Sequence, residues 1–369
     1  PCRLRLLSRC DGLEGLRRRL AGPGARAVWD GAEPGDPRRL AAARRWRAAV
    51  GAWGHRPPES EPETVEMAAA LVALGRCEAA LAALEGLRSA GAEAVRARCQ
   101  LLLGQIGAAA ATLRRVKRPG LTWEPAVELA EIAARVFANT GKPGHAAPWI
   151  RRALDLGEQE GGPAALRAGL AAAGAAWDRG DIAGLETWLA ATRSACDDPD
   201  LAWRWHQVRS LETDRGRPAA DLEAPAAHAG LAIRLGRRRL TRHEAAGLWN
   251  DLGVARGRLG DLAGAERAFL HAARLFEGCD GPRKATLALP NLAEIRLRRG
   301  RLAGVREILE RTVTENRLSG NVRGLATDTG LRARFELALG RPDAALRLCR
   351  EALALGWDME VSRVIAARA

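Results

Sequence analysis

Residues 244–276, EAAGLWNDLGVARGRLGDLAGAERAFLHAARLF, decide the fold class. Trp249, Leu252 and Arg256 recur at spacings of three and four, which places them on one face of a first helix. Ala265, Phe269 and Ala272 do the same in a second helix, and Gly260 turns the chain between the two. Gly253 and Ala265 are small enough for the backbones to approach closely, while Trp249 and Phe269 fill the space on either side. The stretch predicts a helical hairpin held by packing, with no reaction chemistry in it.

The phrase recurs. Leu259-Gly260-Asp261 matches Leu74-Gly75-Arg76 and Leu339-Gly340-Arg341, and the aligned turn glycines are Gly75, Gly104, Gly141, Gly180, Gly216, Gly260, Gly300 and Gly340. Their spacings of 29, 37, 39, 36, 44, 40 and 40 residues are those of stacked helical hairpins. The expected fold is all-α, a right-handed superhelical solenoid of about eight hairpins. No hairpin of this size buries its own apolar face, so such an array makes surface, and it points to a binding scaffold and not to an enzyme.

Trp-x-x-Leu-Gly at 249–253, Gly260-Asp261, and Ala-x-x-x-Phe-x-x-Ala at 265–272 resemble a tetratricopeptide repeat. The frame moved forward by 40 residues gives Leu289, Leu292, Ala293, Gly300, Val305 and Leu309, and a further 40 gives Gly340, Ala345, Cys349 and Ala352. Arg256, Arg296 and Glu336 stand where the family carries Tyr. The period exceeds the family's roughly 34 residues, and the extra length falls between units, as at 277–284. The resemblance covers residues 64–369 and is densest over 244–352. Long-period arrays of this kind are similar to those in large bacterial signal-transduction and transcriptional regulators. The resemblance therefore implies a protein-interaction or regulatory arm of a larger cytoplasmic bacterial protein, its first helices lining a concave face. On that frame the candidate groove residues are Trp203, His206, Asn250, Arg258, Glu294, Arg298 and Arg334, facing a protein or peptide, or a neighbouring domain of the same polypeptide.

Residues 1–54 lack the phrase and carry loop signals at Gly22-Pro23-Gly24 and Glu33-Pro34-Gly35-Asp36-Pro37. The run HRPPESEPE at 55–63 cannot continue a helix. The expected division is 1–63, a helical segment outside the repeats or the tail of an upstream domain, and 64–369, the array. The chain opens on Pro1, which suggests a piece of something longer.

Composition narrows the class further. Of 369 residues 47% are hydrophobic but only 4% aromatic, with 11 Trp, 4 Phe and no Tyr, so the core must be built from Leu, Ala and Val. No apolar stretch approaches the roughly 18 residues of a membrane span, and a soluble chain with no membrane partner is expected. The seven cysteines (Cys2, Cys10, Cys77, Cys99, Cys196, Cys279, Cys349) are scattered without a Cys-x-x-Cys pair, which fits a reducing compartment.

Net charge is +14, unevenly spread. Basic and acidic residues number 13 and 6 over 1–60, 19 and 22 over 61–230, and 26 and 16 over 231–369. The densest basic runs are Arg234, Arg237, Arg238, Arg239 and Arg242, then Arg296, Arg298, Arg299 and Arg301. Such runs can grip phosphate or an acidic peptide, and a solvated face with cations near helix C-termini accounts for them equally. A G- and C-rich genome, which fills surfaces with Ala, Arg and Gly, is the plainest source. A nucleic-acid-binding solenoid is the first alternative function, but the acidic middle interrupts a continuous phosphate track. An accessory region of a kinase or ATPase outside this stretch is the second.

Reaction chemistry has no visible start. There is no Gly-x-x-x-x-Gly-Lys-[Ser/Thr] phosphate loop and no Gly-x-Ser-x-Gly elbow. His243-Glu244 opens a zinc-protease pattern, but Gly247 stands where its second His must be. The six histidines are far apart, and Asp197-Asp198 before Pro199 reads as a loop between helices. Trp177, Trp188, Trp203, Trp205 and Trp249 suit inter-repeat packing better than an aromatic groove. No catalytic residue, cofactor or metal is expected. In solution, circular dichroism should be dominated by helix, and small-angle scattering should give a radius of gyration above the roughly 21 Å of a compact domain of this length. A compact radius or substantial strand content contradicts the solenoid.

Overall fold

The computed structural model describes residues 36–42, 46–140, 142–211, 223–237, 239–280, 285–318 and 322–355. Gly141, Gly216, Arg238, Cys2, Cys10 and the loop signals at 22–24 and 33–35 lie outside the described residues. Among the described residues all regular structure is helical. Two compact units emerge, one of residues 1–211 with 231–243 and the other of 212–230 with 244–369.

In the first unit α1 (Pro37–Ala42) and α2 (Trp46–His55) precede four successive hairpin positions. These are α3 (Glu61–Ala73) with α4 (Cys77–Ala83), α5 (Ala90–Leu102) with α6 (Ile106–Arg115), α7 (Trp123–Asn139) with α8 (Ala147–Glu160), and α9 (Gly162–Arg179) with α10 (Ile182–Ala191). Then comes α11 (Ala202–Ser210), and the boundary between units passes within α12 (Glu223–Gly236). The second unit holds α13 (Arg242–Arg258) with α14 (Leu262–Glu277), α15 (Ala285–Arg298) with α16 (Val305–Leu318), and α17 (Val322–Ala338) with α18 (Pro342–Ala354).

The six phrase glycines among the described residues sit at the turns between first and second helices. Gly260, at φ 87°, closes α13 in the left-handed conformation, as Gly75, Gly104, Gly180, Gly300 and Gly340 close their own first helices. That conformation is nearly free for glycine and costly for any residue with a Cβ. After two of these turns the next residue starts the second helix: Asp181 accepts from the Gly184 N–H and Asp261 from the Gly264 N–H, each at 2.8 Å.

Around seven of the eight turn glycines, Gly216 excepted, the hairpin core obeys a register in which the residue seven before the glycine is small and the one nine after it is larger. The small series is Ala68, Ala97, Ala134, Ala173, Gly253, Ala293 and Ala333, and the opposing series is Leu84, Leu113, Ile150, Leu189, Phe269, Leu309 and Cys349. All of them are buried. At Gly253 the fit is tightest, since a Cβ there would lie 2.6–2.8 Å from three ring atoms of Phe269. The sequence-derived frame therefore holds: Leu252, Ala265, Phe269 and Ala272 are buried, as are Leu289, Leu292, Ala293, Val305 and Leu309 forty residues on. Trp249 is only half-buried, its ring 4.5 Å from that of His271.

At 55–63 the chain does leave one helix and begin another. Ser60 caps α3, Pro62 takes an early helical position that needs no N–H partner, and the Glu63 carboxylate accepts from Trp53 Nε1 at 3.2 Å. The core nonetheless runs through the break, with Ala49, Val50 and Trp53 packed together with Met67 and Leu71.

Where the resembled repeat carries Tyr, the second unit has ion pairs. Arg296 on α15 meets Glu266 on α14 at 3.3 Å, and thirty residues of separation recur with the charges exchanged where Arg306 on α16 meets Glu336 on α17, also at 3.3 Å. Each pair joins the second helix of one hairpin to the first helix of the next. Glu266 is buried and also holds Arg299 and Arg301.

Between α16 and α17, Asp328 is buried and accepts from Asn316 Nδ2 at 2.8 Å. Burial pushes its carboxyl up to about 6 despite hydrogen bonds with Thr312 and Asn316 that favour the anion, and nearby Glu315 adds to the rise. Because the folded value lies above the unfolded value of 3.8, Asp328 contributes stability that is full below 3.8 and lost as pH rises through about 6.

Two outcomes follow from this packing. Phe269→Ala should lower the unfolding free energy by about 3–5 kcal/mol, through the lost ring and the cavity it leaves; urea melts that match the parent would mean that Gly253 and Phe269 do not face each other. Asp328→Asn should raise the melting temperature at pH 7.5 and flatten the pH dependence between 4 and 7, where the parent loses up to ~3 kcal/mol. An unchanged pH profile in thermal melts contradicts the buried, proton-binding Asp328.

Candidate functional site

The apolar sides of the first helices pack inward on the second helices, which leaves a polar face on successive first helices. In the second unit this face is cross-linked from hairpin to hairpin. Asn291 on α15 donates to the Asn250 side-chain oxygen on α13 at 3.0 Å. Arg298 Nη1 on α15 donates to the Gly257 carbonyl of α13 at 3.0 Å, and Arg334 on α17 meets Glu294 on α15 at 3.1 Å. Sequence separations of 40 and 41 residues mean that equivalent positions of neighbouring hairpins touch.

Four of the predicted residues, Asn250, Glu294, Arg298 and Arg334, thus lie on one connected face. Arg258 ends α13 one residue after the carbonyl that Arg298 caps, and it is half-buried. Arg298 itself is exposed, with one N–H spent on the C-terminus of its neighbour.

The other two predicted residues belong to the first unit. Trp203 lies in the interior at 5% exposure, under the Arg204 guanidinium at 5.4 Å, and does not line an open surface. Trp205 is also buried, with its Nε1 donating to the Leu189 carbonyl at 3.1 Å, so both tryptophans lie in the interior. His206 is half-buried against the Trp205 ring, and burial, followed by the Arg193 charge, lowers its pKa below the ordinary value.

The sequence reading missed the most concentrated charge cluster on the first helices. Arg98 on α5 meets Glu128 at 2.8 Å and Glu131 at 3.6 Å on α7. Glu131 also pairs with Arg204 on α11, two hairpins further along the chain. A carboxylate on α7 and a guanidinium on α11 can touch only if this face curves inward across the intervening α9. Within that hollow α9 contributes Arg167, stacked on Trp123 with its guanidinium carbon 5.5 Å from the ring centroid. Two helical turns further along α9, a Cβ at Gly174 would meet nothing within 4 Å.

Electrostatics here are strongly coupled. Burial alone would raise the Glu131 pKa, but Arg204, Arg98 and Arg167 together outweigh it and hold the carboxyl below its usual range. Arg167 shifts the other way, its pKa lowered chiefly by burial and then by repulsion from Arg204, with Glu131 and Glu128 opposing. Arg167 makes no hydrogen bond and no ion pair with the described residues. Spacing along α7 and α9 puts these residues on helix faces, but the meeting of three hairpins depends on curvature that a single helix does not encode.

Among the described residues no cluster of His, Cys, Asp or Glu is arranged to hold a metal ion. No helix among them is long and apolar enough to cross a membrane.

No protein-family model matches the chain, and no curated protein matches it in sequence. Solved structures do match in fold. Rap protein complexed with competence and sporulation factor is similar over 82% of this chain and 94% of its own, at 14% identity and a TM-score of 0.51. Human IFIT1, solved as a dimer with m7Gppp-AAAA, covers 93% of this chain and 94% of its own at 12% identity and a TM-score of 0.46. The hetero-tetramer Cut9–Hcn1 gives 11% identity and 0.35 over 95% of this chain and 98% of that one. The fold is a tetratricopeptide-like helical array. Replacing Glu131 with Gln should raise the Arg204 and Arg98 side chains' mobility and lower the melting temperature modestly, since a half-buried carboxylate pairing is lost; an unaltered melt would mean that Glu131 is not held between them.

Proposed function

We propose that this chain is a protein-interaction scaffold whose first-helix faces grip an acidic segment of a partner protein or of a neighbouring domain, as a regulatory arm of a larger cytoplasmic bacterial protein. One observation carries the reading. In both units the polar face runs from hairpin to hairpin along the first helices, and guanidinium groups are its recurrent feature: Arg98, Arg167 and Arg204 in one unit, Arg298 and Arg334 in the other. Guanidinium groups suit carboxylates because two parallel N–H donors match two oxygens. A fold neighbour, Rap protein, holds competence and sporulation factor in its solved structure, which accords with an array that receives a partner.

Nucleic acid is the rival that the charge favours, since residues 231–369 carry 26 basic against 16 acidic side chains. Phosphate binding would show a steep loss of affinity with salt. The double variant Arg258→Glu with Arg298→Glu separates the readings on an array of acidic peptides and on duplex and single-stranded oligonucleotides. Loss of acidic-peptide binding with unchanged circular dichroism is the expected result. Tight oligonucleotide binding at physiological salt, abolished in the double variant, would instead assign the face to phosphate.

A further inference from the structure

We propose that Cys77 and Cys99 form a reversible disulfide that staples α4 to α5, and that this thiol pair makes the joint between the first two hairpins sensitive to oxidation. Such a staple would act whatever partner the array binds.

Three other joints show what the two positions ordinarily hold. There the residue two after one turn glycine shares an apolar cluster with the residue five before the next: Ile106 with Val136, Leu262 with Ile295, and Leu302 with Phe335. A second helix, or the turn leading into it, is thereby joined to the first helix of the following hairpin. Cys77 and Cys99 stand at the same two places around Gly75 and Gly104, both fully buried in one cluster. A cysteine can serve as a plain filler, as Cys349 does opposite Ala333. At the first joint, by contrast, both members carry sulfur, and the two thiols are hydrogen-bonded to each other.

Hydrogen-bonded thiols already face each other, so small side-chain rotations close the remaining gap to the roughly 2.05 Å of a disulfide. The oxidant is a low-molecular-weight disulfide. One cysteine of the pair attacks it as the thiolate, breaking its S–S bond and releasing one small thiol. The other cysteine then attacks the mixed disulfide, forms the Sγ–Sγ bond and expels the second small thiol. Two electrons pass to the small disulfide, and the two thiol protons leave on the two released thiols.

Packing decides when this happens and which product persists. Burial pushes the Cys99 thiol well above its ordinary pKa, with the hydrogen-bonded Cys77 adding to the rise and Arg98 opposing it. The closed, reduced joint is therefore unreactive, and oxidation proceeds through its transient opening. A densely packed interior has no room for a glutathionyl group, so the mixed disulfide holds the joint open and only the Sγ–Sγ bond lets it close again. Linking residues 77 and 99 restricts the unfolded chain, which makes the oxidised joint harder to open than the reduced one. Arg98, the residue before Cys99, reaches Glu128 and Glu131 on α7, so the staple would also tie α4 to the first-helix face that Arg98 helps to build.

The test equilibrates the full chain in glutathione buffers of increasing disulfide content, quenches with acid and N-ethylmaleimide, and digests with trypsin without reductant. Arg76 and Arg98 place Cys77 and Cys99 at the first positions of tryptic peptides 77–88 and 99–114. Mass spectrometry should find these two peptides linked, dithiothreitol should separate them, and the oxidised chain should melt several degrees above the reduced one. Cys77→Ala should lose both the link and the rise, and if that variant does not fold, the linked peptides of the parent decide alone. Glutathione retained on Cys77 or Cys99, a link from either to another cysteine, or both thiols still free in the most oxidising buffer would overturn the staple. A lower melting temperature in the linked chain, or a rise of equal size in Cys77→Ala, would overturn it too.

Discussion

Close approach of two helix backbones at one point per hairpin is the constraint on which the rest depends. At seven of the eight turn glycines, Gly216 excepted, the residue seven before is Gly or Ala, and a larger residue nine after the turn fills the remaining volume. The forty-residue repeats of the second unit show the trade in volume. As the first-helix residue goes from Gly253 to Ala293 and Ala333, the second-helix residue goes from Phe269 to Leu309 and Cys349. Interiors are packed too densely to accept a larger residue on one side without a smaller one on the other. With only 4% aromatic residues, the chain relies on alanine contacts to bring helices together, and each hairpin gains the rest of its burial from its neighbours.

Charge then does between hairpins what volume does within them. Glu266 with Arg296, and Arg306 with Glu336, stand at equivalent places with their signs exchanged. Sliding one hairpin to the next position along the array would set Glu266 against Glu336, or Arg306 against Arg296. Opposite signs in neighbouring layers therefore favour one stacking order over its nearest competitor, a selectivity that identical Tyr residues at the same positions would not supply.

The turn glycines, the second-unit frame and the burial of Phe269 were legible in the sequence because each depends on spacing within one hairpin. Trp203 was not, since on a helix a single step of one residue turns a side chain through about 100° and exchanges interior for surface. The first-unit cluster was hidden for a different reason. Counting charge along 61–230 gives a slightly acidic segment, and yet the fold sorts Arg98, Arg167 and Arg204 onto one hollow while many acidic residues lie elsewhere. Segment charge predicts a potential only when side chains of both signs are spread evenly over the surface, and helical arrays do not spread them evenly.

Sorting also sets how each cation is held, because an uncompensated buried cation costs more than its neighbours return. Glu266 in the second unit shows that this chain can satisfy three guanidiniums with one well-placed carboxylate, through direct contacts from Arg296, Arg299 and Arg301. Around Glu131 the same number of guanidiniums gathers, but Arg167 is held on Trp123 and not on a carboxylate. The two clusters share residue types and differ in how the third guanidinium is held, on a shared carboxylate around Glu266 and on an aromatic face near Glu131.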